Sequence, residues 1–533
     1  MAERAWLGRV PPTRWERHYG DRVVRCFVRR PASAYALLDE AAERNPDGEA
    51  LICGDERLSY RDFERAVKRF ATGLQDLGIR PGDRVALLLG NGIVFPMVMF
   101  AALRIGAIAV PLSVREQTNG LAYMLSHSGA KLLVHDAGLA ERLPEARDAP
   151  ALAHRVAVAA EASWTTLPLL AEPKDAPPAD VEEEDTAIIL YTSGTTGLPK
   201  GAMLTHLGIC HSAIHFEFCM GLTANDRAVV AVPMSHVTGV IALIAAMTRV
   251  AAALIVMREF KATAFLQLAA RERMTHSLMV PAMYNLCLLD PAFEQGDYSA
   301  WRVGGYGGAP MAPATIARFA EKLPNLNLMN AYGATETTSP VTMMPPSETA
   351  LRPDSVGCAL PCADILVMDD AGCEVRDGEE GELWLGGPMV VKGYWDNPVA
   401  TAENIVGGYW RSGDIGSKDP DGFVRVFDRK KDMINRGGYK VYSVEVESAL
   451  MSCPGVVEAA VVGEPCAVLG ERVHAFVVAE PEVQPAALKQ HCMQVLADYK
   501  VPESFTLRDQ PLPRNANGKL LKRELRGDAV RTR

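Results

Sequence analysis

The sequence has no long uncharged apolar run, and this argues against membrane-spanning helices. Its two most apolar stretches are 85–110, which is interrupted by Asn91 and Arg104, and 240–257, which contains Arg249. A transmembrane helix needs about 20 consecutive apolar residues. The N-terminal residues carry charges and prolines where a signal peptide would need an apolar segment. We therefore expect a protein that is not exported and has no transmembrane span.

The sequence also lacks an excess of positive charge, and its cysteines do not occur in closely spaced pairs. The 55 basic residues are outnumbered by 65 acidic ones, which gives a net charge of −10. This balance disfavours nonspecific binding to nucleic acid, and we expect no nucleic-acid partner. The 11 cysteines form no Cys-x-x-Cys pair and no metal-binding spacing. Reduced thiols and a cytoplasmic location are the expectation that follows.

The length and the hydrophobic pattern predict an α/β protein with more than one domain. A chain of 533 residues is too long for a single hydrophobic core. Short strand-like runs such as 84–90 alternate with helical patterns such as 60–78, which favours largely parallel sheets. We predict a large N-terminal α/β domain over 1–427, with a small β-rich subdomain from about 355 to 427. A small α/β C-terminal domain over 428–533 should follow it.

A loop rich in glycine and hydroxyl groups follows the apolar run 187–191. Its glycines allow backbone N–H groups to turn toward one point, and its hydroxyls and lysine add further donors. The pattern predicts a phosphate-binding loop, although its spacing is not the Walker pattern. A flexible polar loop is the alternative interpretation. The candidate phosphate-binding residues are Thr192, Ser193, Gly194, Thr195, Thr196, Gly197 and Lys200.

Further polar constellations suit the other parts of a nucleotide. Tyr332 can stack on a flat ring, and Glu336 offers a carboxylate suited to Mg²⁺. Asp414 can accept hydrogen bonds from a vicinal diol such as a ribose. The charged segment 428–441 fits a solvated linker and a functional segment equally well. Asn517-Gly518 predicts a tight turn that presents Lys519. Each feature alone is an ordinary turn or loop, but together they describe ATP bound for chemistry at a phosphate.

These motifs resemble, in their order, the core motifs of the adenylate-forming superfamily. That superfamily contains acyl-CoA synthetases, firefly-type luciferases and peptide-synthetase adenylation domains. The motifs that carry the resemblance are YTSGTTGLPKGAMLTH, AYGATETT, YWRSGD, DRKKDMINRGGYKV and NGK. They span most of the chain from about 185 to 520. The resemblance implies a mobile C-terminal domain that rotates between two half-reactions. MgATP first activates a carboxylic acid as an acyl-adenylate, and coenzyme A then takes the acyl group and releases AMP.

The resemblance also implies roles for individual residues. It places the 192–201 loop at the β,γ-phosphates, Thr335 at the α-phosphate, Glu336 at magnesium, and Tyr332 on adenine beside Gly307, Gly308 and Ala309. It places Asp414 and Arg429 at the ribose, Lys519 at the carboxylate and α-phosphate oxygens, Lys431 at the hinge, and Gly437 and Gly438 beside the pantetheine of coenzyme A. Lys519 would stabilise charge that develops in the transition state.

The expected acid is a medium- or long-chain fatty acid or an aromatic acid. His236 falls where the family has a gating aromatic or histidine beside the acyl carboxylate, although without the motifs it would read as a core histidine. Gly333 falls where acetate-specific members have a bulky tryptophan, which disfavours acetate. No aspartate near 236 is available for an amino-acid ammonium group.

Coenzyme A is the expected thiol acceptor, because no carrier-protein domain follows Lys519. Asn435 and Cys466 depart from the family pattern, so the resemblance supports the adenylation step more strongly than the thioester step. A stand-alone enzyme that loads a carrier protein is the alternative function, and a non-catalytic nucleotide-binding module is the alternative from another class. The presence of both Lys519 and Glu336 argues against the module. The sequence leaves open whether the chain forms a homodimer.

Overall fold

The structure is a computed structural model that describes residues 6, 10–159, 164–174, 176–192, 198–346, 348–514 and 520–531. Its backbone contacts divide the chain into two units. The first unit holds the chain up to Leu366, Trp384–Arg411 and Asp419–Val424. The second holds Val367–Leu383, Ser412–Lys418 and the chain from Arg425 onward.

Six strands of the described chain form one sheet of the first unit. In sheet order they are Lys200–Thr205, Thr186–Thr192, Ile108–Pro111, Arg84–Leu88, Ala130–Asp136 and His154–Val158. Neighbouring strands are parallel except for the pair formed by Lys200–Thr205 and Thr186–Thr192, which is antiparallel with Lys200 opposite Thr192. The two ends of the predicted phosphate loop therefore lie side by side.

A second sheet of the first unit is also built on parallel strands. In sheet order they are Glu49–Cys53, Ala253–Val256, Arg227–Val230, His276–Met279, Val303–Tyr306 and Asn327–Ala334. Glu56–Ser59 adds an antiparallel edge strand, and Ser339–Met343 and Gly357–Ala359 continue the sheet in antiparallel fashion beyond Asn327–Ala334. Parallel strands end at the same edge of a sheet, where ligands of α/β proteins bind. The segments after Tyr306 and around Tyr332 meet at this edge.

The helices of the first unit connect these strands. Within the described ranges they are Ala36–Arg44, Tyr60–Asp76, Val94–Arg104, Thr118–Ser128, His206–Cys219, Ala246–Arg249, Ala262–Arg271, Pro281–Leu289, Pro313–Lys322 and Pro398–Asn404, with a π-helix at Thr238–Ala245. Short 3₁₀ turns occur at Ala137–Arg142, Ala146–Asp148, Trp164–Thr166, Pro291–Glu294 and Thr335–Thr337. A hairpin of Thr13–His18 and Arg22–Phe27 lies near the N-terminus, and the short strand Ile405–Val406 pairs with Tyr409–Trp410.

Local sequence explains the helix at Tyr60–Asp76. The Ser59 hydroxyl accepts a hydrogen bond from the Asp62 N–H, which satisfies one of the unpaired donors of the first turn. Phe63, Val67, Phe70 and Leu74 recur every three or four residues and are all buried. The 3.6-residue period of the apolar positions thus places one face of this helix in the core.

The second unit is a smaller α/β arrangement. Its strands are Ile434–Arg436, Tyr439–Val441, Val456–Cys466, Gly470–Ala479 and Ser504–Arg508, and its helices are Ser443–Met451, Pro485–Val495 and Lys522–Arg531, with a 3₁₀ turn at Asp498–Lys500. The strands Asp364–Met368, Gly381–Gly386, Tyr409–Lys418 and Phe423–Arg429 contribute residues to both units. Val446, Leu450, Val461, Val477 and Leu488 belong to the hydrophobic core of this unit.

The predicted fold class is confirmed: a large N-terminal α/β part rich in parallel strands is followed by a small α/β C-terminal part. The domain boundary at 427/428 stays a prediction. Within the described ranges, none of the helices is both long enough and apolar enough to cross a membrane. The strand Lys200–Thr205 was not predicted, because a short run with Lys and Gly at its start carries little strand signal.

Candidate active site

Glu336 is the centre of a buried hydrogen-bonded cluster in the first unit. Its side chain lies on the turn Thr335–Thr337, and the residue is only 8% exposed. Its Oε1 accepts hydrogen bonds from the Tyr394 hydroxyl at 3.1 Å and from the Thr192 hydroxyl at 3.3 Å. Among the described residues, none donates a hydrogen bond to Oε2. The carboxylate is therefore fixed through one oxygen and offers the other.

Tyr394 is a hydrogen-bond donor to Glu336 because its own proton is firmly held. Burial, with the neighbouring Glu336 carboxylate, raises the pKa of Tyr394 well above its usual value. The Trp410 indole N–H donates to the same hydroxyl at 3.3 Å, which fixes the orientation of the phenol. Tyr394 thus reaches Glu336 as a protonated and oriented donor.

Both ends of the predicted phosphate loop meet this cluster. Thr192, at the end of one strand, donates to Glu336, and the Lys200 ammonium, at the start of the next, lies 5.1 Å from the centre of the Tyr394 ring. A cation at this distance from an aromatic face is attracted to it. The remaining predicted loop residues, Ser193, Gly194, Thr195, Thr196 and Gly197, lie outside the described residues.

The Thr337 side chain fixes the turn that carries Thr335 and Glu336 by bonding to the backbone before and after it. The Thr337 hydroxyl accepts from the Ala334 N–H at 2.9 Å and donates to the Ser339 carbonyl at 2.6 Å. Thr338 and Ser339 have positive φ angles of 49° and 91°, which are unfavourable for residues with a side chain. Such conformations cost about 1–3 kcal/mol each and persist only where the surroundings enforce them, often at functional sites.

The segment from Gly307 to Ala309 follows the strand Val303–Tyr306, and Tyr332 lies in the last part of the neighbouring strand Asn327–Ala334. The parallel pairing of these two strands ends at Tyr306 and Asn330, and Tyr332 pairs with Thr342 of the next, antiparallel strand. A Cβ atom at Gly307 would overlap the Ala331 carbonyl oxygen, and Gly308 has a φ of 78°. The structure therefore brings this glycine segment beside Tyr332, with a close backbone approach that requires glycine.

Gly333 is required by its own backbone contacts. A Cβ atom at this position would overlap the carbonyl oxygen of Ser339 and crowd Pro340. The strand pairing shifts register between Tyr332 and Gly333, which brings the two chains close together. The close approach of Ser339 and Pro340 therefore explains the glycine at this position, whatever its effect on the size of an acyl pocket.

His236 is exposed at the start of the π-helix Thr238–Ala245. Its Nδ1 accepts from the Thr238 N–H at 3.4 Å. The loop before it is anchored by Asn91, whose side-chain amide donates to two backbone carbonyls and accepts from the Met234 N–H at 2.9 Å. Sequence reasoning placed Asn91 only as a break in an apolar run, and its anchoring role depends on contacts distant in the chain.

The second unit carries the predicted ribose pair. Asp414 is buried, and its Oδ1 lies 2.7 Å from Nε of Arg429. The Ser412 hydroxyl accepts from the Asp414 N–H at 3.0 Å, and the Arg429 guanidinium donates to the Ser412 carbonyl at 3.4 Å. The sequence-predicted partners Asp414 and Arg429 are therefore in direct contact.

The predicted hinge and glycine loop also lie in the second unit. The Lys431 carbonyl accepts a hydrogen bond from Arg526 at 2.9 Å, and the same guanidinium nitrogen donates to Asp432 at 2.9 Å. Gly437 and Gly438, with φ angles of 60° and 89°, form the turn between Ile434–Arg436 and Tyr439–Val441. Two positive φ angles in a two-residue hairpin turn explain this glycine pair. Lys519 lies outside the described residues.

Three residues that sequence reasoning missed stand out at these sites: Tyr394, Trp410 and Arg526. Each acts through a partner at least 16 residues away in the chain. The only signal for Tyr394 is its place in GYWDN, and this run also reads as a simple turn.

Comparison with known proteins assigns both parts of the chain. The family model described as AMP-binding enzyme matches residues 38–395, and that of the AMP-binding enzyme C-terminal domain matches residues 445–519. The long-chain-fatty-acid–CoA ligase FadD13 of Mycobacterium tuberculosis (strain ATCC 25618 / H37Rv) is 34% identical over 501 residues, covering 92% of this chain and 97% of the relative. Feruloyl-CoA synthase of an Amycolatopsis species is 34% identical over 493 residues, covering 91% of this chain and 96% of the relative.

Solved structures agree over nearly the whole chain. The o-succinylbenzoate coenzyme A synthetase of Bacillus subtilis in complex with ATP and a magnesium ion superimposes with a TM-score of 0.82 and 29% identity, over 93% of this chain and 99% of the other. The same enzyme with its acyl-adenylate intermediate gives a TM-score of 0.83 and 29% identity, over 92% and 97%.

Proposed function

The chain belongs to the AMP-binding enzyme family, and we propose that it uses ATP to join a fatty or aromatic carboxylic acid to coenzyme A. It is a ligase of the acyl-CoA synthetase type. First, a carboxylate oxygen of the acid attacks the α-phosphorus of ATP, the bond from that phosphorus to the bridging oxygen breaks, and pyrophosphate leaves. The thiolate of coenzyme A then attacks the acyl carbon, and AMP leaves. Two steps are needed because a free carboxylate has no acceptable leaving group.

The observation that carries this proposal is the buried Glu336 carboxylate between the two ends of the phosphate loop. Oxygen ligands are those that Mg²⁺ prefers, and Oε2 of Glu336 accepts no hydrogen bond from the described residues. These residues fit Mg²⁺, with Glu336 as its ligand. Bound there, Mg²⁺ would neutralise charge on the phosphates of ATP. Thr192 and Tyr394 would keep the carboxylate oriented, and Lys200 would add a positive charge beside the loop.

The geometry of the parallel strand ends supports the proposed nucleotide contacts. Tyr332 would stack on adenine, and the backbone of Gly307, Gly308 and Ala309 would line the other side of the same pocket. Thr335, next to Glu336 on a rigid turn, would donate its hydroxyl to the α-phosphate. A hydrogen bond to a phosphate oxygen stabilises the transition state most when its donor is already held in position.

For the second unit we propose the roles that the family resemblance implies. Arg429 orients the Asp414 carboxylate, which would accept hydrogen bonds from the ribose hydroxyls. Lys519 would stabilise negative charge on the carboxylate and α-phosphate oxygens during the first step. Lys431 would be the hinge, and the Gly437-Gly438 turn would let pantetheine approach the backbone closely in the second step.

The acid specificity rests on apolar surroundings and on the relatives. Residues 240–247, which follow His236, are all apolar or small and fully buried, and they offer no charge for a second carboxylate or an ammonium group. FadD13 is named for long-chain fatty acids and the Amycolatopsis enzyme for ferulate. His236 would lie at the entrance, beside the acyl carboxylate. We therefore propose a medium- or long-chain fatty acid or an aromatic acid.

The test is AMP release by the purified enzyme with MgATP and a panel of acids, with and without coenzyme A. The panel contains acetate, hexanoate, dodecanoate, palmitate, benzoate and ferulate. Strong AMP release that depends on coenzyme A with the longer or aromatic acids is the expected result. AMP release that needs a phosphopantetheinylated carrier protein and ignores free coenzyme A would support the carrier-loading alternative. Absence of hydroxamate-trappable adenylate with every acid would overturn the enzyme assignment.

A further inference from the structure

The helix Thr118–Ser128 is hydrogen-bonded to both ends of the predicted phosphate loop. Its Tyr123 hydroxyl donates to the Pro199 carbonyl at 3.1 Å, although the two residues lie 76 positions apart in the chain. The Tyr191 hydroxyl donates to the Met124 carbonyl of the same helix, also at 3.1 Å. Tyr191 directly precedes the loop, and Pro199 is its last residue before the next strand begins. Two successive residues of one helix therefore anchor the two ends of the loop.

Both anchoring phenols keep their protons and act as donors. Burial raises the pKa of Tyr123, and it raises the pKa of Tyr191 well above its usual value. The Tyr191 hydroxyl also lies 2.9 Å from Nδ1 of His127. Because a carbonyl only accepts hydrogen bonds, the Tyr191 proton is donated to Met124, and the Nδ1–H of His127 donates to the hydroxyl oxygen. Two hydrogen bonds thus fix the Tyr191 phenol.

The rings of Tyr123, His127 and Tyr191 pack against one another. The first two are stacked, with centroids 5.2 Å apart and an interplanar angle of 24°. The Tyr191 ring is steeply inclined to both, at 6.4 Å from Tyr123 and 5.8 Å from His127. These separations and angles are those that aromatic pairs prefer. The anchors at the two ends of the loop therefore belong to one packed cluster.

The anchors act on the two residues that meet the Glu336 cluster. A peptide unit is planar, so the bond to the Pro199 carbonyl also fixes the orientation of the peptide that leads into Lys200. Lys200 is paired with Thr192, which follows Tyr191 and donates to Glu336. The position of each loop end thus depends on a phenol of this cluster as well as on the strand pairing.

We propose that Tyr123 and Tyr191 are positioning residues for the terminal phosphates of ATP. The proposal rests on the proposed function, in which this loop holds the β- and γ-phosphates. The two phenols act through the loop ends and not by contact with ATP. Without a hydroxyl the strands stay paired, but the loop adopts its binding geometry for only part of the time. The apparent affinity for ATP then falls in proportion to the fraction in that geometry.

The experiment measures binding by calorimetry to the full-length enzyme, with a non-hydrolysable ATP analogue and with AMP, both in the presence of Mg²⁺. Tyr123→Phe and Tyr191→Phe each remove one hydroxyl and keep the ring. Tyr298→Phe is the matched control, because its hydroxyl donates to the Ala292 carbonyl at 3.2 Å and its ring packs in a different hydrophobic cluster of the first unit. Thermal unfolding is measured for each variant. Pro199 is half-buried, so water can replace the lost bond, and Tyr123→Phe should unfold close to the wild-type temperature.

We expect Tyr123→Phe to bind the analogue about 3- to 10-fold more weakly than wild type, the effect of one hydrogen bond. Tyr191→Phe should change in the same direction. AMP binding should stay at the wild-type value in both variants, because AMP lacks the phosphates that the loop is proposed to hold. Tyr298→Phe should match wild type for both nucleotides. In turnover, the KM for MgATP should rise with little change in kcat, since excess ATP selects the binding geometry of the loop.

Three results would contradict these expectations in different ways. Analogue binding by Tyr123→Phe equal to that of wild type would overturn the proposal. Equal weakening of analogue and AMP binding would indicate a general structural role and would also overturn it. In both cases the proposed function would stand. A wild-type enzyme that binds the analogue no more tightly than AMP would instead refute the proposed role of the loop, and the positioning role with it.

Discussion

Removal of the Tyr394 hydroxyl tests whether this residue orients Glu336, the carboxylate that we propose as the Mg²⁺ ligand. In Tyr394→Phe, Glu336 keeps the hydrogen bond from Thr192 at 3.3 Å but loses the shorter one at 3.1 Å. The ring stays, so the contact with the Lys200 ammonium is retained. The substitution therefore removes the only hydrogen bond that Tyr394 donates to Glu336, together with the one that its hydroxyl accepts from the Trp410 indole.

The expected magnitude follows from that single bond. A hydrogen bond to a charged group is worth ~1.5–3 kcal/mol, and supporting contacts of a metal ligand typically change metal affinity 10- to 100-fold. We expect the free Mg²⁺ concentration for half-maximal pyrophosphate release to rise by about 10- to 100-fold. Excess Mg²⁺ should restore much of the rate, because Glu336 itself is unchanged. The Trp410 indole also loses its acceptor, so a lower unfolding temperature is expected as well.

The assay is pyrophosphate release at fixed ATP and acid with free Mg²⁺ titrated. Tyr409→Phe is the matched control, because its hydroxyl also donates to a carboxylate of the first unit, that of Asp364. This control should leave the Mg²⁺ dependence unchanged. If Tyr394→Phe and Tyr409→Phe gave the same Mg²⁺ titration as wild type, Tyr394 would not position the metal ligand, and the reasoning from the Glu336 cluster would be refuted.

Other predictions address stability, the hinge and the thiols. Burial lowers the pKa of His211 to about 4, so the unfolded chain takes up a proton at this residue before the folded protein does. The free energy of unfolding should therefore fall by up to ~3 kcal/mol as the pH falls from 6.5 toward 4, and stay unaffected by His211 above pH 6.5. Unfolding temperatures measured across this range should fall less steeply in His211→Gln. Gly333→Ala should destabilise the fold by ~2 kcal/mol or more, because the new methyl group overlaps the Ser339 carbonyl; a denaturation curve matching wild type would contradict this. Arg526→Gln should alter thioester formation from pre-made acyl-adenylate more than adenylate formation, since it frees the Lys431 carbonyl, and Arg526→Lys should recover part of the effect; equal changes in both half-reactions would indicate a purely structural contact. Denatured protein should give 11 reactive thiols, as all the cysteines are free; intact disulfides would count against the expected reducing location.

The parts of the site that the sequence predicts are those encoded in local patterns. Glu336, Asp414 and the predicted phosphate loop could be proposed from sequence because chemistry-bearing side chains lie in short segments with turn-forming neighbours. The alternation of strand and helix patterns likewise predicts the parallel sheets, since it depends on periods of two and 3.6 residues. Tyr394 could not be found in this way, because its contact with Glu336 spans 58 residues. The strand Lys200–Thr205 escaped for a similar reason, since its strand character comes from pairing with Thr186–Thr192 rather than from its own composition.

Contacts within the protein hold Glu336 in place relative to the two ends of the predicted phosphate loop, Thr192 and Lys200. One end of the loop donates to the carboxylate through Thr192, and the other is held against Tyr394, which donates to the same oxygen. The strand that begins at Lys200 is also bridged to Tyr394 through Ala202. A metal on the free oxygen and phosphates in the loop would therefore share one rigid frame. Because charge stabilisation is most effective when donors need not reorganise as charge develops, we expect Tyr394 to affect the first half-reaction although it is not proposed to touch the reacting atoms.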